Sequence, residues 1–177
     1  MIGIDIEQYL ADPYGSGIQR VLQYLAKAWP AEVSARFVIP APGRPGEMLL
    51  IEPEQAGDLI SISFRRRVEE EDVRQDVLAH VAAADYPSIQ EADLATVFDA
   101  WLLPEVSYLP TVLERFETMR RQVRTAMIGY DTLPMTEPAN YRFRPGMAGW
   151  VSEYFRLLAV TDHVVCISDY AQQEILV

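Results

Sequence analysis

Polar residues follow two apolar runs in the last third of the chain, and each run predicts a strand. The run Thr125–Tyr130 leads into Asp131, and the run His163–Ile167 leads into Ser168 and Asp169. Strand ends on one side of a parallel sheet are where open α/β folds place their chemistry. A carboxylate such as Asp131 could hold a hydroxyl group or orient a substrate there. The alternative is an Asp that caps the following turn.

The other polar strand ends are open to similar alternatives. Asp99, within Phe98–Trp101, poses the same choice between a site and a turn cap. Ser168 is predicted to cap a helix that begins at Asp169, because Ser favours that position. Neither of the two histidines follows a strand and leads into a loop, so no Ser-His-Asp triad is indicated.

A glycine loop, Gly15-Ser16-Gly17, follows the first predicted strand and opens the first predicted helix. Glycines let a backbone approach a ligand, and N–H groups at a helix start attract phosphate or a sugar hydroxyl. Arg20, one turn into the helix, could reach an anion bound there. The loop is neither GxGxxG nor a Walker A motif. A plain strand-to-helix turn and a surface arginine explain the same residues.

Composition narrows the classes of function. The chain has 177 residues, 50% hydrophobic and 23% charged, which suits one globular domain. Its net charge of −11 disfavours a general affinity for nucleic acid. No apolar run approaches the ~20 residues that span a bilayer. Because the first residues do not form a secretion signal, we expect a cytoplasmic protein. One cysteine and two histidines exclude an internal disulfide and make a metal site unexpected.

Strands alternate with helices along the chain, which predicts an α/β, Rossmann-like fold: a mostly parallel sheet with helices on both faces. The short runs 48–51 and 59–62 could be small strands and add an antiparallel excursion. The predicted strands are Ile2–Leu10, Ala35–Ile39, Asp93–Phe98 (leading to Asp99 and Trp101), Thr125–Tyr130 and His163–Ile167, and the predicted helices cover 18–29, 64–84, 109–123 and 147–158.

Four segments of the sequence resemble the family 4 (group 1) glycosyltransferases. Gly15–Ala28 is similar to the glycine-loop opening of that family, and Val97–Trp101 is similar to a strand that carries its "fLDasW" pattern. Tyr130–Pro138 resembles the "hDliPl..P" segment, and Ala159–Leu176 resembles the "aD.vi.vSe.sr.dl" segment. The matches occur in family order and span nearly the whole chain.

The resemblance implies a GT-B enzyme, in which two Rossmann-like domains face each other across a cleft. Residues 1–177 would be its N-terminal, acceptor-side domain, and the C-terminal donor-binding domain would lie beyond Val177. The implied activity is retaining transfer of a sugar from a nucleotide-sugar to a glycan or lipid-linked acceptor. The family chemistry needs no metal and no cofactor.

The resemblance also implies roles for single residues. Asp131 matches the family's aspartate near the reacting sugar and becomes the candidate catalytic residue. Gly15, Ser16, Gly17 and Arg20 would bind the donor phosphates. The acceptor side would include Asp99, Trp101 and Tyr130, with Tyr141 a further ring that could pack on a sugar. Core packing or a loop anchor explains each of the three rings equally well. The family often has His where this chain has Tyr130, which puts a His-based acid–base role in doubt.

The implied partners are the nucleotide-sugar, the acceptor and the protein's own C-terminal domain, with no nucleic acid. A peripheral association of the full-length enzyme with membrane is compatible with this. Two other functions stay open. One is a non-catalytic Rossmann-like module that binds a ligand or regulates. The other is a flavodoxin-like or dinucleotide-binding enzyme, which the incomplete glycine motif disfavours.

Overall fold

The computed structural model describes residues 1–65, 70–130, 132 and 147–175. Within that part of the chain seven strands form one sheet. The strands are β1 Ile2–Asp5, β2 Ala35–Pro40, β3 Glu47–Ile51, β4 Ser88–Gln90, β5 Ala100–Leu103, β6 Arg124–Gly129 and β7 His163–Cys166. Their order across the sheet is β4-β3-β2-β1-β5-β6-β7. β3 runs antiparallel to both of its neighbours, and the other pairs are parallel.

Helices alternate with these strands, as the sequence predicted. They are α1 Glu7–Ala11, α2 Gly17–Lys27, α3 Pro53–Arg65, α4 Glu70–Ala83, α5 Leu94–Val97, α6 Pro110–Arg120, α7 Met147–Val160 and α8 Asp169–Ile175, with a 3₁₀ turn at Glu91–Asp93. The mostly parallel α/β sheet is therefore confirmed. The predicted antiparallel part is also present, and β3 and β4 form it.

The sheet separates two hydrophobic cores. On one face, side chains of α1, α2, α3 and α4 pack on Ile4, Phe37 and Ile39. On the other face, side chains of α5, α6 and α7 pack on Val38, Trp101 and Met127. β2 contributes to both cores, which explains why residues 37–40 form a continuous apolar run.

The order of the strands reverses direction between β1 and β5. From β1 the chain crosses through α2 to β2 on one side, and from β5 it crosses through α6 to β6 on the other side. In open α/β sheets the crevice at the carboxyl ends of two such strands is the usual ligand position. The residues that follow β1 and β5 are therefore the first place to look for a site.

The first strand is shorter than predicted. The pattern predicted a strand over Ile2–Leu10, but β1 ends at Asp5 and α1 follows. Asp5 Oδ1 accepts the backbone N–H of Glu7 at 3.1 Å, which satisfies a donor at the start of the helix. Tyr9 and Leu10 then enter the core from a helix rather than from a strand.

The strand predicted over Asp93–Phe98 is also wrong. That stretch forms a 3₁₀ turn and α5, and the strand begins only at Ala100. Leu94 and Phe98 are both buried and lie four residues apart, the spacing of one helical face. Asp99 consequently precedes a strand instead of following one.

The apolar run 59–62 belongs to α3 and is not a strand, whereas the run 48–51 does lie in a strand, β3. The helix predicted over 64–84 corresponds to the end of α3 and to α4, and residues 66–69 between them lie outside the described residues. In the described ranges, no helix combines the length and the apolar composition that crossing a bilayer requires.

Candidate functional site

The glycine loop lies at the carboxyl end of β1, beside the point where the strand order reverses. Gly15 has φ +65°, and a Cβ atom there would lie 2.9 Å from the Ser63 carbonyl oxygen. That position therefore requires glycine for its backbone conformation and for space. Gly17 differs, because a Cβ atom there would meet no atom of the described residues within 4 Å. Gly17 is exposed at the first position of α2.

One buried side chain, Gln19, organises this loop. Its Oε1 accepts the backbone N–H groups of Gly15 at 2.8 Å and Ser16 at 3.3 Å, and its Nε2 donates to the Asp12 carbonyl at 2.6 Å. Ser16 Oγ in turn accepts the backbone N–H of Gln19 at 3.2 Å, which completes a capping box. The N–H groups of Gly15 and Ser16 are thus occupied within the protein.

The donors left for a ligand at the start of α2 are those of its first turn. The N–H groups of Gly17 and Ile18 have no acceptor within the helix, as is general at helix starts. Arg20 is exposed, and its guanidinium carbon lies 5.1 Å from the centroid of the Phe64 ring. Two backbone donors, the helix dipole and one cation can attract an anion here.

Glu105, two residues after β5, is a buried acid at the same edge of the sheet. It is 2% exposed, and in the described part of the chain its Oε2 has no hydrogen-bond partner. Burial, the largest cause, together with the charges of Asp5 and Asp12 raises the pKa of Glu105 to about 8. The backbone N–H of Tyr9 and the side chain of Gln19 oppose that rise in pKa. Perturbed acids of this kind concentrate at functional sites.

Asp12 ties the loop after β1 to the loop after β5. Its carboxylate accepts the hydroxyl groups of Tyr14, at 2.7 Å, and of Tyr108. Gln8 adds a second link, since its Oε1 accepts the Ser107 hydroxyl at 3.0 Å and the Tyr108 backbone N–H at 3.2 Å. The two loops on either side of the crevice therefore form one hydrogen-bonded unit.

Tyr130 also points into this unit and not to the surface. It is 6% exposed, and its hydroxyl donates to the Pro104 carbonyl at 2.7 Å. Burial raises the pKa of Tyr130 above its ordinary value. Its ring supports the loop that carries Glu105, so contact of this ring with a sugar would require the loop to move.

Asp131, the candidate catalytic residue, lies outside the described residues, and so does Tyr141. The residue after Asp131 is described: the backbone N–H and the hydroxyl of Thr132 donate to Glu174 Oε2 at 3.1 and 3.2 Å.

The predicted cap of α8 is confirmed, because Ser168 Oγ accepts the backbone N–H of Ala171 at 3.1 Å.

Asp99 and Trp101 lie away from this edge. Asp99 stands before the amino end of β5, where it pairs with the N-terminal ammonium group of Met1. Trp101 is fully buried in the core and packs edge-on against Phe98 at a centroid distance of 5.5 Å. The structure does not bring these two residues together with the glycine loop.

Sequence reasoning missed a second buried cluster, which joins β1 to α6. Arg115 donates to Asp5 at 2.7 Å, to Glu7 at 2.6 Å and to Glu91 at 2.6 Å. Burial raises the pKa of Asp5, and Arg115 opposes part of that rise. The three carboxylates hold the pKa of Arg115 above its ordinary value although burial lowers it. Each of the three nitrogens of this guanidinium group donates to a protein carboxylate, which indicates a structural role.

The described residues hold no group of three or more His, Cys, Asp or Glu side chains suited to a metal ion. Comparison of the chain with protein-family models, with curated proteins and with solved structures finds no significant match.

Proposed function

We propose that this chain is the acceptor-side, Rossmann-like domain of a retaining glycosyltransferase of the GT-B type. The enzyme would move a sugar from a nucleotide-sugar to a glycan or lipid-linked acceptor, in the cytoplasm, with the peripheral membrane association that such acceptors allow. The observation that carries the proposal is the exposed start of α2, with an open Gly17, at the reversal of strand order. The four sequence resemblances give it its chemical class.

The chemistry of sugar transfer suits an anion-attracting helix start. A departing nucleoside diphosphate gains negative charge at its leaving oxygen, and fixed donors that face this charge stabilise the transition state. The N–H groups of Gly17 and Ile18, together with Arg20, would supply part of that stabilisation. The whole chain carries a net charge of −11, so this attraction is local.

The proposed mechanism does not require a strong base from the protein. A leaving diphosphate oxygen can accept the proton of the acceptor hydroxyl, so orientation of the two substrates is the main requirement. We assign that orientation to Asp131, which the family resemblance places beside the reacting sugar. Nothing in this mechanism requires a metal or a cofactor.

A residue-resolved titration tests the proposed donor site. The chain is labelled with ¹⁵N and titrated with UDP, GDP, their hexose conjugates and inorganic pyrophosphate. We expect a nucleotide-sugar to shift the amide signals of Gly17, Ile18 and Arg20 more than pyrophosphate does. Shifts with pyrophosphate alone would reduce the site to a general anion site. The absence of any shift there would remove the glycine loop from the proposal.

A non-catalytic Rossmann-like binding module is the second candidate. This candidate is favoured because the polar side chains of Asp12, Gln19 and Tyr130 at this edge form hydrogen bonds within the protein, as expected of structural residues. A module would bind its ligand at the same crevice and leave it unchanged. Binding without turnover of any nucleotide-sugar by the complete reading frame would support this candidate.

A further inference from the structure

A groove of about 800 Å³ lies at the carboxyl end of α2, and the proposed function leaves it unused. It is bounded by the last turn of α2, the loop that leads to β2, the first residues of β2 and the first turns of α3. The groove and the glycine loop are at opposite ends of α2, which is about 16 Å long. Pockets of this volume accept small organic molecules.

Part of the lining of this groove is apolar and is held in shape by hydrogen bonds. Trp29 Nε1 donates to the Val33 carbonyl at 2.7 Å, and the Val33 backbone N–H donates to the Pro30 carbonyl at 3.0 Å. The indole ring of Trp29 is half-buried, and Val33 is 38% exposed. The two side chains therefore present apolar surface to an occupant of the groove, and an indole ring also attracts cations to its face.

The charged side chains that line the groove are mostly acidic. Arg36 is paired with Glu52 at 2.6 Å. The stem of Lys27 lies against α3, since a Cβ atom at Gly57 would be 3.0 Å from Lys27 Cγ. Three further carboxylates of the lining are exposed and form no ion pair among the described residues; they are Glu32, Glu54 and Asp58. The groove therefore carries an excess of negative charge.

This negative charge is distributed and not gathered at one point. Glu54 and Asp58 lie one turn apart on the same face of α3, so their like charges repel each other. Within the described residues, neither these two acids nor Glu32 belongs to a group of three that could hold a metal ion. A flexible chain that carries several separated positive charges matches such a lining better than a compact ion does.

We propose that this groove binds an aliphatic polyamine. The methylene groups of the polyamine lie against Trp29 and Val33. Its ammonium groups form charge-assisted hydrogen bonds with the exposed carboxylates and relieve the repulsion between Glu54 and Asp58. The net charge of −11 attracts cations to the whole protein, but the groove adds apolar contact to that attraction. The site lies away from the glycine loop, so this proposal does not rest on the proposed function.

An NMR titration of the chain with spermidine, at constant ionic strength, tests the proposal. The Trp29 indole Nε1–H signal and the side-chain carboxyl carbons of Glu54 and Asp58 are followed. We expect these signals to shift together and to saturate with a common midpoint at or below about 1 mM. MgCl₂ at the same ionic strength should leave the indole signal in place.

Two variants and a control separate the groove from the rest of the acidic surface. The double variant Glu54→Gln/Asp58→Asn should raise the spermidine midpoint about tenfold, because it removes two exposed ion pairs. Trp29→Leu should also raise the midpoint, because it removes the indole face. Glu114→Gln, on α6, should leave it unchanged. The two acids of the double variant are exposed, so that variant should fold.

Four results would overturn the proposal. The first is an indole signal that does not respond to spermidine. The second is an equal response to Mg²⁺, which would reduce the groove to a general acidic surface. The third is an unchanged midpoint in the double variant. The fourth is tighter binding of trilysine than of spermidine, which would assign the groove to a basic peptide segment instead.

Discussion

The Oε1 atom of Gln19 accepts the backbone N–H of Gly15 at 2.8 Å, and this contact joins the left-handed residue of the loop to the first turn of α2. Gln19 is only 5% exposed, so its bonds do not compete with water. The buried side chain of Gln19 therefore fixes the conformation of the loop, while Gly17 remains exposed.

Replacement of Gln19 by Leu should destabilise the chain by about 2–4 kcal/mol, because it leaves two N–H groups and a carbonyl oxygen without their buried partner. The midpoint of urea denaturation measures this loss. Gln23→Leu is the matched control, since Gln23 makes one bond, to Ser61, and should cost about 1 kcal/mol. Equal losses for the two variants would contradict the central position of Gln19.

The two glycines of the loop should respond differently to alanine. Gly15→Ala forces a side chain into a left-handed backbone and against the Ser63 carbonyl, so we expect a loss of at least about 1–2 kcal/mol in unfolding free energy. In Gly17→Ala the new Cβ atom has no neighbour within 4 Å in the described part of the chain, so stability should change by less than about 0.5 kcal/mol. Similar thermal midpoints for both variants would show that the loop conformation is not as described.

Removal of the buried guanidinium group should cost far more than removal of an exposed one. Arg115→Leu leaves Asp5 buried without its cation, and loss of one partner of a buried ion pair costs about 3–5 kcal/mol. Arg121, which follows the last residue of α6 and whose side chain is 71% exposed, is the control, and Arg121→Leu should leave the urea midpoint nearly unchanged. A small effect of Arg115→Leu would mean that the cluster does not fasten α6 to β1.

Glu105 should give the folded chain a characteristic dependence on pH. Its pKa is about 8 when folded against an ordinary value of 4.5, so the folded state holds the proton more tightly than the unfolded state does. The stability from this group is fully present below about pH 4.5. It then falls by about 1.4 kcal/mol for each pH unit and levels off above about pH 8.

Glu105→Gln removes this dependence. The variant should therefore gain stability relative to the original chain as pH rises from 5 toward 8, as urea denaturation at several pH values would show. A constant difference between the two proteins over that range would refute the buried, neutral state of Glu105.

The fold could be predicted because hydrophobic patterns are local. The apolar residues of β2 and the apolar residues along one face of α2 can be recognised in the sequence, and both elements form as predicted. The pattern failed at Asp93–Phe98, where short apolar spacings fit either a strand or a helix. The predicted strand placed Asp99 at a strand end, whereas in the structure Glu105 is the acid that follows β5.

The interior of the site depends on contacts between distant segments. The spacing of Ser16 and Gln19 is a capping-box signal that the sequence does contain. No local signal, however, indicates that Glu105 is buried or that Arg115 pairs with Asp5, because both features arise only when the sheet assembles. Burial then decides the charge of Glu105, and burial is a property of the whole fold.

The most direct test of the account is nucleotide-sugar turnover by the complete reading frame, with and without Gly17→Val. A Cβ atom at Gly17 would have no described protein atom within 4 Å, so the variant should keep its thermal midpoint while it blocks the approach of a ligand to the start of α2. The account predicts hydrolysis or transfer of a UDP- or GDP-sugar that falls at least about tenfold in the variant, which is about 1.4 kcal/mol of transition-state stabilisation. A protein that turns over no nucleotide-sugar, or equal turnover by both forms, would contradict it.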